Sequence, residues 1–314
     1  MFEQIVDIIT NSNNIAISFH VSPDGDSLGS SLALMQGIEK LGKNVSIRCN
    51  EAIPEDFKFL PRSNSIQNGD IPSDTDCLII LDCGNVERVN CNLINDRNYV
   101  LVNIDHHISN DKYGDINYVN DKNSSMGEIV FLLMKELNLD INQEMAICMY
   151  TSIMTDTGSF RFSNTTKLTH DVVGELISTG IDFSAIHRSM YENKKYQMVK
   201  LSAKVIEDMT LHFLGKVCFM QVDEEMQKSI DYYPEDVSEL ISVGTQIEGV
   251  EVVVFFKCKT DRIKVSLRSK TYFDVRKIAE LYGGGGHIKA AGFTYEGELS
   301  KLKDELMKKI YEGI

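Results

Sequence analysis

The segment Ile104-Asp105-His106-His107 sets three adjacent side chains able to bind metal or move protons directly after an apolar run, Val100 to Ile104. In α/β proteins, functional loops begin where buried strands end. A surface turn can also read Asp-His-His, so the tripeptide takes its meaning from three further clusters. These are His20-Val-Ser-Pro-Asp24-Gly-Asp26, Asp82 closing Cys77-Leu-Ile-Ile-Leu, and Asp156 in Met154-Thr-Asp-Thr-Gly158, each near an apolar segment. His20, Asp24, Asp26, Asp82, His106 and Asp156 together offer four carboxylates and two imidazoles. Hard divalent cations take carboxylate oxygens, and imidazole moves the preference toward Mn²⁺, Fe²⁺ or Zn²⁺. One catalytic ion takes about three or four protein ligands and keeps a position open for water, so this set suits two ions better than one. Asp82, alone at its strand end, is the natural bridge. Two cations about 3.5–4 Å apart stabilise the attacking and leaving oxygens of an in-line displacement at phosphorus. The chemistry expected is phosphoester hydrolysis.

Each cluster also has a plain structural reading. His20 and Asp24 could cap a helix beginning near Ser27. Asp82-Cys-Gly could be a strand-end turn, and Asp156-Thr-Gly a turn closing a helix. It is the conjunction of all four that carries the metal reading. The run Gly283-Gly-Gly-Gly-His287 divides in the same way, since glycine runs usually serve as flexible linkers. This one lies between a predicted helix and the apolar Ile288-Lys-Ala-Ala-Gly-Phe. Bare amides at Gly284, Gly285 and Gly286 can approach an anion closely, with His287 adding a side-chain donor. Arg268 alternates with Lys264 and Ser266 along a predicted strand, so the three share a face, and a guanidinium there can clamp a phosphate.

Strands at Ile15–Phe19, Asn44–Arg48, Cys77–Leu81 and Val100–Ile104 alternate with helices at Ser27–Leu41, Ser124–Leu137, Gln143–Ile153 and Lys167–Ser178. The alternation predicts an α/β fold with a mostly parallel sheet flanked by helices. Residues 187–200 are polar yet compatible with helix and are expected to form a helical connector. The domains expected are therefore 1–186, which carries the metal, and 201–314, a smaller α/β substrate-binding domain. In the latter a strand pair falls near Met209–Phe213 and Lys216–Gln221, with further strands at Gly249–Lys257 and Arg262–Leu267. Helices fall near Pro234–Ile241, at Val275–Leu281 and at Leu299–Tyr311.

With 43% hydrophobic and 25% charged residues over 314 positions, the chain has the composition of a folded protein large enough for two cores. No apolar stretch approaches the roughly eighteen residues of a membrane span. The opening Met-Phe-Glu-Gln-Ile-Val-Asp is acidic where a signal peptide is basic. Seven cysteines without a C-x-x-C pair fit a reducing cytoplasm better than a disulfide framework or a zinc–thiolate site. Residues 1–189 hold 13 Lys and Arg against 26 Asp and Glu, whereas residues 190–314 hold 19 against 20. An acidic first half fits carboxylates gathered to hold cations and argues against a long nucleic-acid groove there. The one basic concentration is Lys257, Lys259, Arg262, Lys264, Arg268, Lys270, Arg276 and Lys277, opposed by Asp261 and Asp274. That pattern suits a short phosphorylated substrate.

These motifs resemble the DHH phosphoesterase superfamily over nearly the whole chain. The resemblance rests on Ser18 to Ser30, on Leu81-Asp82-Cys83-Gly84, on Asp105-His106-His107 and on Thr155-Asp156-Thr157-Gly158. Val265 to Ser269 and Gly283 to His287 are similar to the associated DHHA1 domain. The resemblance implies two Mn²⁺ ions, the first held by His20, Asp24 and Asp82, the second by Asp26, Asp82, His106 and Asp156. It implies catalytic roles for Asp82, Asp105 and His107, with His107 near the scissile phosphate. Arg268, Gly284, Gly285, Gly286 and His287 would bind substrate across an interdomain cleft. The two-domain length is similar to the NrnA-like group, which degrades very short RNA and removes the 3′-phosphate of 3′-phosphoadenosine 5′-phosphate (pAp). The same architecture serves enzymes acting on cyclic di-AMP or linear pApA, and a nucleotide-sensing binding protein is the reading from another class. RecJ-type exonucleases are longer, and the superfamily's pyrophosphatases carry a different second domain. A homodimer is also expected from the family.

Overall fold

Continuous apolar runs make strands buried on both faces, and such strands pair in parallel when helices cover them. The central strand of the first sheet, Cys-Leu-Ile-Ile-Leu, is buried at every position. A computed structural model describes residues 2–93, 97–234, 237–259 and 262–314. The chain divides into two units, one running to Asn193 and the other from Lys194 onward.

The first unit contains α1 (Glu3–Asn11), β1 (Asn14–Ser18), α2 (Gly25–Lys40), β2 (Asn44–Ile47), β3 (Cys77–Leu81), β4 (Val100–Asp105) and β5 (Ile116–Val119). It continues through α3 (Met126–Glu136), α4 (Gln143–Asp156), α5 (Lys167–Ser178) and α6 (Phe183–Tyr191). The sheet order is β2-β1-β3-β4-β5, with every neighbouring pair parallel. The chain reverses its direction of travel across the sheet between β1 and β3, which opens a crevice at their carboxyl ends. His20 follows β1 and Asp82 follows β3.

Helix α2 is buried from Gly25 to Ile38, which requires neighbours on all sides. Its small residues let those neighbours come close. A Cβ on Gly29 would lie 2.4 Å from the Cys148 carbonyl oxygen, and one on Gly127 would lie 2.2 Å from Ser152 Oγ. Thus α2, α3 and α4 meet nearly backbone to backbone, around Leu28, Leu32, Ile129, Leu133 and Met149.

The second unit contains α7 (Tyr196–Asp208), β6 (Thr210–His212), β7 (Val217–Val222), α8 (Glu224–Ser229), α9 (Ile241–Thr245), β8 (Val252–Cys258) and β9 (Ile263–Ser269). The chain then forms α10 (Val275–Leu281), β10 (Gly285–His287), β11 (Ala290–Tyr295) and α11 (Leu299–Tyr311). Its sheet runs β10-β11-β9-β8-β7-β6, antiparallel except for the β7–β8 pair. Period-two alternation feeds two cores. Val254, Phe256, Val265 and Leu267 pack with residues of α10 and α11, while Cys218, Met220, Val253 and Phe255 pack with Leu201 and Val205 of α7.

Two regions differ from the sequence expectation. Residues 187–200 are not one connector helix, because α6 ends at Tyr191 and α7 begins at Tyr196. The helix expected near 234–241 is a single 3-10 turn, Ser238–Leu240, followed by α9; residues 235 and 236 lie outside the described residues. Asp261, set against the basic run, also lies outside them. Among the described residues no helix is long and apolar enough to cross a membrane.

Candidate metal centre

Beyond β1 the chain is fastened before it turns. Val21 N–H donates to the Arg88 carbonyl at 2.7 Å, and the buried Asn90 amide donates to the His20 carbonyl at 3.3 Å. His20 Nδ1 sits 2.8 Å from its neighbour Val21 O. A carbonyl only accepts, so Nδ1 carries the hydrogen and Nε2 is left to face the cluster. Asp24 is the N-cap of α2. Its Oδ1 accepts from the N–H groups of Asp26 and Ser27 at 3.1 and 3.0 Å, while Ser27 Oγ accepts from Asp24 N–H. The other oxygen, Oδ2, lies 3.7 Å from His20 Nε2. Asp24 therefore caps the helix, as the plain reading expected, through one oxygen and turns the other toward the cluster.

Asp82 occupies the left-handed region, with φ of 56°, and is buried. Its two oxygens point to different histidines: Oδ2 is 3.3 Å from His20 Nε2, and Oδ1 is 3.4 Å from His106 Nε2. Around His106 Nε2 stand Asp26 Oδ2 at 3.4 Å and Asp156 Oδ2 at 3.9 Å. Asp26, on the first turn of α2, accepts from the first N–H groups of α3, Met126 and Gly127, and from Ser152 Oγ on α4. The close packing of these three helices brings the donors within reach. Asp156 closes α4, where Asn164 donates to its carbonyl at 3.1 Å and its carboxylate at 3.4 Å.

The ligand atoms of His20, Asp24 and Asp82 lie within 4.8 Å of one another, as do those of Asp26, His106 and Asp156. Asp82 stands between the two groups. Asp82 Oδ1 and His106 Nε2 are buried without a hydrogen-bond partner, an arrangement that costs free energy unless a cation takes both lone pairs. The donors are hard oxygens and imidazole nitrogens, so the residues fit a divalent metal. The electrostatics point the same way. Burial opposes charge on His20, but contact with Asp24 and Asp82 overcomes it and pushes the imidazole up to about 11. Asp82, Asp26 and Asp156 likewise outweigh burial at His106 and push it up to about 10. Burial raises the Asp156 carboxyl to about 6, and it raises Asp26 together with the neighbouring Asp82 and Asp156 charges. Contact with His20 outweighs desolvation at the cluster and holds the partly exposed Asp24 carboxyl down at about 2.

A third group joins Asp105, His106 and His107 to Asp82. Asp105 is fully buried, and its Oδ1 accepts from His106 N–H at 2.7 Å and from His107 Nδ1 at 2.8 Å. Its Oδ2 accepts from Asn110 at 2.5 Å. Asp105 thus fixes the His107 ring and raises its pKa, and the ring is exposed at its outer edge. Asn103, Asn110 and Tyr113 all donate to the Cys83 carbonyl, holding the turn after Asp82.

In the second unit, Lys264, Ser266 and Arg268 alternate with buried Ile263, Val265 and Leu267, as expected. Ala290 pairs with Arg268 on one side and with His287 on the other, so the two basic side chains share a face across β11. The next row of that face is Gly285, Gly292 and Ser266, a floor almost without side chains. Gly285 to His287 form an edge strand, rather than the open loop the glycine run suggests. Gly284 and Gly286 are required by packing, since a Cβ would meet Gly292 O at 2.2 Å or Ala290 O at 2.4 Å, and Gly286 has φ of 142°.

Sequence reading passed over Asn103, Asn110, Tyr113, Ser152 and Asn164. Two left a signal: Asn103 interrupts an apolar buried strand, and Ser152 precedes Asp156 by one helical turn.

Residues 14–153 match the N-terminal domain of the DHH family, and residues 215–312 match the DHHA1 domain. The bifunctional oligoribonuclease and PAP phosphatase NrnA of Thermus thermophilus is 30% identical over 304 residues, 96% of this chain and 90% of the relative. The chain belongs to the DHH family of phosphoesterases. Within that family it is NrnA-like, being also 29% identical over 93% of its length to the NrnA enzyme of Bacillus subtilis, 92% of which is covered. An exopolyphosphatase-related protein from Bacteroides fragilis superposes with a TM-score of 0.93 at 27% identity, covering 99% of this DHH chain and 95% of the other.

Proposed function

We propose that this DHH protein is a metal-dependent phosphoesterase that hydrolyses very short oligoribonucleotides and removes the 3′-phosphate of pAp. The single observation that carries the reading is the Asp82 carboxylate, whose two oxygens serve two separate groups of ligand atoms. Similarity to enzymes named for these two activities supports the choice of substrate. Two ions, Mn²⁺ by the mixture of donors, would be held by His20, Asp24 and Asp82 and by Asp26, Asp82, His106 and Asp156. Bound there, they supply Lewis acidity toward phosphoryl oxygens and activate water.

The chain's own residues do the rest. His107 Nδ1–H donates to Asp105, which favours the imidazolium form, and the Nε2–H of that form would donate its proton to an oxygen of the scissile phosphate. Asp24 and Asp26 are held by backbone N–H groups, so these carboxylates need no rearrangement when charge develops. Arg268 and His287 grip the nucleotide's phosphate, and the floor of Gly285, Gly292 and Ser266 admits a flat base or ribose. A basic face confined to one sheet favours short substrates over long strands. The seven free cysteines support a reducing compartment, the cytoplasm, as the place of action.

The test is a Mn²⁺-dependent panel of pAp, pApA, a five-nucleotide RNA, long single-stranded DNA and cyclic di-AMP, compared by kcat/KM. Preference for pAp and short RNA, lost in Asp82→Ala, is expected. Dominant turnover of pApA or cyclic di-AMP would reassign the substrate, and nucleotide binding without turnover would make the protein a sensor.

A further inference from the structure

The loop after α4 leaves from Asp156 and returns to it. Asn164 bonds back to the Asp156 carbonyl and carboxylate, and its amide also donates to Ser124 O at 2.9 Å. Between those ends the backbone is unusual: Gly158, Ser159 and Phe160 are successively left-handed, with φ of 55°, 59° and 65°. Two of the three are not glycine, and such conformations persist only where surrounding contacts over-determine them. Those contacts are present. Ser159 N–H donates to Met154 O at 2.7 Å, Phe160 N–H to Thr157 Oγ1 at 3.1 Å, and Arg161 N–H to Thr157 O at 3.0 Å. The Phe162 ring packs against Gly158, where a Cβ would meet it at 2.4 Å.

The residue this turn presents is Arg161. Its Nε donates to Gly158 O at 2.7 Å, which fixes the guanidinium plane while the residue stays exposed. Among the described residues it forms no ion pair. Arg161 is also the single lysine or arginine in the segments 20–27, 82–85, 105–111 and 156–164 that carry the cluster. Strain beside a functional site is one means of pre-organisation, and a guanidinium held through Nε keeps both terminal nitrogens free for an oxyanion.

We propose that Arg161 is a substrate-binding residue of the first unit, holding a non-bridging oxygen of the substrate phosphate at the metal centre. This rests on the phosphoesterase reading, which makes the ligand a phosphate; the loop geometry makes Arg161 its cationic partner. The test is calorimetric binding of inorganic phosphate to Mn²⁺-loaded protein, for wild type, Arg161→Gln and Arg161→Lys, with bound Mn²⁺ counted separately by electron paramagnetic resonance.

Arg161→Gln is expected to bind phosphate about tenfold more weakly with Mn²⁺ binding unchanged, and Arg161→Lys to fall between, since lysine keeps the charge without the fork. Phosphate affinity within twofold of wild type would overturn the proposal. So would an equal loss of Mn²⁺ and phosphate binding, because Arg161 would then act through Asp156. If Arg161→Gln fails to fold, Arg161→Lys decides: wild-type phosphate affinity sinks the proposal and an intermediate value upholds it. Wild-type protein that binds phosphate through Arg161 yet hydrolyses none of the panel would refute the substrate assignment and leave Arg161 standing.

Discussion

At the cluster in the first unit, His20, Asp26, Asp82 and Asp105 are buried and held by other groups, with Asp24 and His107 exposed at its rim; on the Arg268–His287 face of the second, basic side chains stand over glycine and alanine. Asp26 alone is fixed by two backbone N–H groups and a serine hydroxyl. Arg268, by contrast, is half-buried and has a carbonyl contact, Leu267 O at 3.0 Å. The first region concentrates like charge and needs cations to be stable in its ionised form. The second is open to water at Gly285 and His287, although its backbone is tightly packed at Gly284 and Gly286. Chemistry is thus expected to respond to the first and affinity to the second.

Several substitutions and conditions can break or sharpen this contrast. The largest effect should come from Asp82→Ala, lowering kcat by about 10³-fold or more in the Mn²⁺-loaded enzyme. A rise in KM alone would erase the distinction between the regions. Metal affinity should depend steeply on pH, because imidazoles held at about 11 and 10 must lose protons before cations bind. Mn²⁺ binding therefore strengthens as pH rises, by about tenfold per unit for each proton released. Titration calorimetry in two buffers of different ionisation enthalpy measures that proton count, and a flat affinity from pH 6.5 to 8.5 would contradict it. Asp105→Asn should cost about 10²-fold in kcat by loosening His107, with Mn²⁺ stoichiometry preserved. Arg268→Ala should raise KM about tenfold and leave kcat within a few-fold. If kcat fell instead, the face would belong to the chemistry.

The smallest effect expected is one of stability. Glu251 accepts hydrogen bonds from the N–H groups of Thr271, Tyr272 and Phe273 and from Thr271 Oγ1, which outweigh its burial and hold its carboxyl below the usual range. Glu251→Gln should destabilise the second unit by about 1–2 kcal/mol at neutral pH. A depressed carboxylate contributes above its unfolded value and loses that contribution as pH falls through its folded value, so the gap should close below about pH 4. A gap that persists at acid pH would assign the effect to shape.

Elements whose pattern was self-contained were legible. The bounds of β3, α5, α10 and α11 follow from apolar periodicity and flanking polar residues. Strand β5 was not, because Ile-Asn-Tyr-Val is short and edge-placed, and β10 was hidden because glycine carries no periodic signal. At the site, ionisable residues at element ends announced themselves by type. The groups that hold them did not, since a backbone N–H such as that of Met126 has no sequence signature, and Asn164 reaches Asp156 only through the loop's return. The glycines at 284 and 286 were legible as glycines, but their reason lies in the approach of the neighbouring strand.

The left-handed backbone at Asp82 has a bearing on how this protein can be varied. That conformation suits glycine, asparagine and aspartate and penalises most other side chains. Position 82 is therefore constrained twice, by the two histidines it faces and by the backbone it must adopt. Glutamate keeps the charge yet fits neither the reach nor the dihedral, so evolution has few neighbours to sample there. Asparagine keeps shape and dihedral while discarding the charge. It is the exchange that would yield an intact but inert protein, suited to trapping bound substrate.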